Sequence, residues 1–251
     1  MDKAQTRHKL ISLVLAILYP ISLGLFAFPI PVFRYIMGSL LAFLILIGFY
    51  NWFYIKSQKL EPFWPTLGVV MFYGAWACMF LIAPTYFLQI SFLIISLILG
   101  YFVERLAASV GEDILFGRLI VTAFAFFISA SAITNYYFKL PGIIVLSGVF
   151  IFTLALARVG YEQALINAPA KLVNALVVAL LSVELFWVLS FLPFHYSVLG
   201  MMVFLCFFCI WQLNYYFIFE RLHLNKIVLL VGLSVLFCAL AFALTPWRLV
   251  S

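Results

Sequence analysis

The chain has 251 residues, of which 68% are hydrophobic, 19% aromatic and only 9% charged, with a formal net charge of +6. Soluble domains carry roughly a quarter charged residues, so a surface this poor in charge would aggregate in water. The composition also excludes a disordered tail and a nucleic-acid-binding domain, both of which need a high charge density.

A bilayer core takes roughly 20 apolar residues per helix. Nine apolar runs of about that length follow one another, at about 10–28, 34–55, 65–83, 85–103, 115–137, 140–157, 170–191, 196–219 and 227–246. They are continuous rather than alternating, which favours helices over barrel strands. The remaining residues suffice for short tails and turns, so the expectation is a single transmembrane domain over residues 1–251.

The first run follows Lys3, Arg7 and Lys9 and holds Pro20, which should kink it. It lacks a convincing small-x-small cleavage site before Pro29, is long enough to span, and reads as a retained helix rather than a signal peptide. Pro29 and Pro31 separate it from the second run, which ends in Asn51-Trp52-Phe53-Tyr54-Ile55. That ending resembles Asn214-Tyr215-Tyr216-Phe217-Ile218 in the eighth run. Two interfacial aromatic belts would produce the same likeness as an internal duplication. Pro62 and Pro65 open the third run, and only Ala83-Pro84-Thr85 parts it from the fourth, which carries Gln89.

The longest inner connection, Glu104 to Arg118, holds Arg105, Glu112 and Asp113. Its two acids fall where a helix N-terminus favours negative charge, so capping accounts for them. In the fifth run Ala125 and Ser129 form a small-xxx-small pair, followed by Ser131, Thr134 and Asn135. Pro141 opens the sixth run, whose inner end carries Arg158 and Glu162 at i,i+4, a spacing that pairs charges on one helix face.

Asn167 and Pro169 mark the start of the seventh run. Asn174 lies one turn inside, and Ala175 and Ala179 make a second small-xxx-small pair. Such pairs let helix backbones approach, so runs five and seven are expected to be interior helices. Glu184 lies in the same run, 13 residues beyond Lys171. At 1.5 Å per residue that is about 20 Å from the inner boundary. A carboxylate near that depth costs about 2.5–3.5 kcal/mol to insert. Its neighbours one turn away are Leu180, Leu181, Trp187 and Val188, and none pairs with an acid. A partner must come from another helix, from water or from a ligand; otherwise the acid is protonated. Gln89, Ser131, Thr134 and Asn135 are candidates at similar depth, and Arg34 and Lys139 reach down from the outer surface.

Pro193 precedes the eighth run, where Gln212, Tyr216, Glu220 and His223 recur at helical spacing and form one polar stripe. This stripe is placed to meet Arg158, Glu162 and Asn174, either as a cytosol-facing pocket or as an interfacial rim of snorkelling side chains. Cys206-x-x-Cys209 has redox-motif spacing, but like Cys78 and Cys238 it falls inside an apolar run and reads as small apolar filler. His8, His195 and His223 have no partners at metal-ligand spacing, so no metal and no cofactor is expected. Phosphate-loop, dinucleotide-binding and hydrolase motifs are absent.

With the N-terminus in the cytosol, eleven of the 14 basic residues fall on the inner side: Lys3, Arg7, Lys9, Lys56, Lys59, Arg105, Arg118, Arg158, Lys171, Arg221 and Lys226. Arg34, Lys139 and Arg248 fall outside. Cytosolic loops are enriched in this way, and anionic inner-leaflet lipid complements the net charge. The expected fold is an all-α integral membrane bundle of nine transmembrane helices in the plasma membrane, N-terminus in and C-terminus out. The expected function is a non-enzymatic binding or assembly component for lipid or a membrane-protein partner. The alternatives are a small secondary transporter using Glu184 and a membrane enzyme acting on a lipid-linked substrate at the cytosolic rim.

Overall fold

The structure, a computed structural model, describes residues 3–24, 33–57, 61–83, 85–106, 112–134, 141–162, 166–192, 194–218 and 224–244. These hold nine helices, one on each apolar run: α1 (Lys3–Gly24), α2 (Phe33–Ser57), α3 (Phe63–Ile82), α4 (Tyr86–Leu106), α5 (Glu112–Ala132), α6 (Gly142–Gly160), α7 (Ala168–Ser190), α8 (Tyr196–Ile218) and α9 (Leu224–Leu244). The largest departure from expectation is α1, which starts at Lys3 rather than near residue 10. An apolar run measures what lipid can cover, whereas a helix continues for as long as its backbone bonds do, through polar residues as well. Among the described residues five stretches are long and apolar enough to cross a membrane: Leu40–Ser57, Phe63–Ile82, Gly142–Gly160, Ala168–Ser190 and Tyr196–Ile218. Leu, Ile, Val and Phe crowd the exposed faces, as a protein solvated by lipid requires.

The chain divides into two compact units, Met1–Thr122 and Ala123–Ser251. In the first, α1 packs on α4 and α2, and α3 packs on α2 and α4. Tyr19 and Tyr73 are fully buried at its centre, edge to face with ring centroids 4.5 Å apart. The Tyr19 hydroxyl donates to the Tyr73 carbonyl at 2.7 Å, and the Tyr73 hydroxyl to the Gly100 carbonyl at 3.3 Å. A Cβ at position 100 would stand 3.3 Å from that Tyr73 hydroxyl, so the absent side chain makes room for this contact.

In the second unit α6 packs on α7, α7 on α8 and α8 on α9. The part of α5 in this unit crosses α8 so closely that a Cβ on Gly200 would lie 2.6 Å from the Ile128 Cα. Phe126 and Phe152 stack between α5 and α6 at 3.7 Å, and Phe127 meets Phe207 at 5.3 Å. Three buried hydroxyls are satisfied locally: Ser129, Thr153 and Ser182 each donate to the carbonyl four residues earlier. In hydrocarbon there is no water to do this, so the helix's own carbonyls serve.

Candidate functional site

Helix α7 is started by Asn167, whose side chain accepts a hydrogen bond from the Ala170 N–H at 3.0 Å, with Pro169 in the first turn, where no backbone donor is needed. From there its two sides differ. Ala175, Val178, Ala179, Ser182 and Phe186 are buried, a seam at steps of three and four residues. Val173, Val177, Leu180, Leu181, Trp187, Val188 and Phe191 are exposed on the other side. The small-residue pair thus packs inward as expected, but α7 as a whole is not enclosed, because the seam covers only one side of it.

Glu184 lies on the exposed side, between Leu180 and Leu181 one turn before and Trp187 and Val188 one turn after. It has no hydrogen-bond or ion-pair partner among the described residues. The expected local partners do not reach it. The Ser131 hydroxyl is buried without any partner, and Thr134 donates to the Ala130 carbonyl at 2.7 Å. Gln89, in the first unit, donates to the Ala83 carbonyl at 3.4 Å. Asn135, Lys139 and the side chain of Arg34 lie outside the described residues.

At the inner end of the second unit, Arg158 Nη1 donates to Glu162 Oε2 at 2.5 Å. The Lys171 ammonium donates to the Glu162 backbone carbonyl at 2.7 Å, tying the end of α6 to the start of α7. These charges are occupied within the protein. Asn174 donates to the Ala170 carbonyl at 2.9 Å on its own helix. Gln212 is buried with its carbonyl oxygen unpartnered, and Tyr216 is half-buried. Glu220 and His223 lie outside the described residues, as do the side chains of His8, Arg105, Glu112 and Asp113. Of the stripe, Gln212 and Tyr216 alone lie within the described residues.

What meets α6 is the adjacent helical position, Trp211, absent from the polar stripe. Its indole packs against Gly160, where a Cβ would approach it to 2.7 Å, and lies 6.4 Å from the ring of Tyr161. Tyr161 is fully buried, its hydroxyl has no partner, and burial pushes its phenol well above the usual range. The signal available in the sequence was Gly160 at a helix end beside a tyrosine, which is too common a pattern to single out.

A third feature is an apolar groove of 530 Å³ between α7, α8 and α9, lined by Leu185, Met202, Cys206, Cys209, Cys238 and Phe242 among others. Its thiols are free. Cys206 lies beside Cys238, and Cys209 beside Ser234. Among the described residues no group of three or more His, Cys, Asp or Glu is arranged to hold a metal ion. The groove offers an apolar chain a place to lie and offers a polar ligand almost nothing. The chain matches no protein-family model, no curated protein and no solved structure.

Proposed function

We propose that this protein is a non-enzymatic assembly component of the plasma membrane, which presents the Glu184 side of α7 to a partner transmembrane helix. In this reading all nine helices span the bilayer, with the N-terminus cytosolic and the C-terminus outside. The observation that carries the proposal is the position of Glu184: an acid at mid-helix, exposed, in a face otherwise made of Val, Leu, Trp and Phe. Lipid tails satisfy the apolar residues of that face but leave the carboxyl without a hydrogen bond. A neighbouring helix supplies one and covers the apolar residues as well. The groove between α7 and α9 fits lipid chains as filler.

Transport coupling is the weaker reading, because the residues surrounding Glu184 on its own helix are apolar and exposed rather than a polar lining. Rim catalysis is weaker still, since Arg158, Glu162 and Lys171 are engaged with one another. The test places a photocrosslinking residue at Leu181 or Val188 in native membranes. A discrete protein adduct is expected, lost in Glu184→Leu. Adducts with lipid alone would overturn the reading.

A further inference from the structure

We infer that Cys206 and Cys238 form a redox-active dithiol, which a lipid-soluble quinone oxidises to a disulfide joining α8 to α9. The inference makes no use of Glu184 and stands independently of the assembly reading.

Helix α9 meets its neighbour along a narrow seam. Between residues 231 and 240 only Ser234 and Cys238 are half-buried, and every other position is exposed. Four residues apart, these two share one face of α9, and α9 packs on α8. On α8, Cys206 and Cys209 are three residues apart and likewise share a face. All four side chains line the apolar groove. Cys206 lies beside Cys238 and Cys209 beside Ser234. This is the register of two antiparallel helices, in which a step forward along α8 is matched by a step back along α9. Packing alone asks for no sulfur opposite sulfur. Two thiols brought side by side from separate helices are what a disulfide requires.

The surroundings select the oxidant. Leu185, Met202, Val235 and Phe242 contribute to the lining, and no charged side chain belongs to it. A charged oxidant such as glutathione disulfide meets a desolvation cost on reaching these thiols. A quinone dissolves in lipid and accepts two electrons with two protons, which is what the dithiol releases. Two S–H bonds break and one S–S bond forms. The two electrons and two protons pass to the quinone, whose carbonyls become the hydroxyls of the quinol. Cys209, set beside a hydroxyl, remains a thiol.

The test uses the full chain, reduced and reconstituted in nanodiscs without oxygen. Decylubiquinone is added, the protein is denatured and alkylated, and its peptides are mapped by mass spectrometry. Of the four cysteines, Cys78 and Cys209 are expected to take the label. Cys206 and Cys238 should escape it and be recovered as one cross-linked pair, two hydrogens lighter, with one quinol formed per chain. Glutathione disulfide at the same concentration should leave all four labelled. Complete labelling after quinone treatment, or a cross-link that includes Cys78 or Cys209, would overturn the pair. Oxidation as fast by glutathione disulfide would overturn the route through lipid. None of these readouts depends on a variant that must fold. Cys209→Ser should leave the cross-link and the quinol yield unchanged, whereas Cys206→Ser should lose both; a quinol yield that survives Cys206→Ser would refute the assignment.

Discussion

Single atoms decide several positions in the second unit. Gly200 and Gly160 sit where a methyl group would enter the Ile128 backbone or the Trp211 indole, at 2.6 and 2.7 Å. Neither neighbour yields easily, since one is main chain and the other is 4% exposed. Gly200→Ala and Gly160→Ala should each destabilise by about 1–3 kcal/mol, read as a lower thermal midpoint in detergent. Gly148→Ala, with nothing within 4 Å of the added atom, is the control and should be neutral or stabilising. The opposite sign is expected where a buried hydroxyl has no partner. Tyr161→Phe and Ser131→Ala each remove an unsatisfied O–H and should stabilise by about 1 kcal/mol. For Tyr161 the gain has a pH signature. Its phenol is held protonated in the folded state, while the unfolded phenol ionises at its ordinary value of 10.0. Wild type therefore keeps its full stability below that pH and loses it above, and Tyr161→Phe removes the decline contributed by this residue. Equal slopes for the two proteins in alkaline unfolding curves would refute the assignment.

Helices were legible in this sequence, but the faces they present were not. Each apolar run became a helix because prolines at 29, 31, 62, 84, 141, 169 and 193 punctuate the chain and because lipid tolerates no unpaired backbone. The N-terminus of α7 was readable down to its capping residue, and Asn167→Ala should cost about 1 kcal/mol of stability. The inward seam of α7 was also readable, since Ala175 and Ala179 announce close packing. What covers the rest of α7 was not, because in a membrane the solvent is as apolar as the core and hydropathy no longer separates inside from outside. For that reason the outward position of Glu184 emerged only from the structure, as did the packing of Trp211 against α6. The Arg158–Glu162 pair shows the converse: i,i+4 spacing predicted it, and the pair formed. Glu162→Gln replaces the charge-assisted bond from Arg158 with a neutral one and should destabilise by about 1 kcal/mol, measured by thermal unfolding at neutral pH.

At the scale of the whole molecule, the basic residues set the expected arrangement across the membrane. Eleven of 14 basic residues on alternate connections argue for an odd number of crossings. A reporter fused after Ser251 should accordingly be active outside the cytosol, and one fused after Lys59 should be active within it. The first unit adds a constraint on timing. Tyr19 in α1 donates to the carbonyl of Tyr73 in α3, and Tyr73 donates to that of Gly100 in α4. The earliest helix made thus waits for the third, and the third for the fourth. A chain halted before residue 100 would lack the Gly100 carbonyl that accepts from Tyr73, so the relay from α1 through α3 to α4 closes only once α4 has been made.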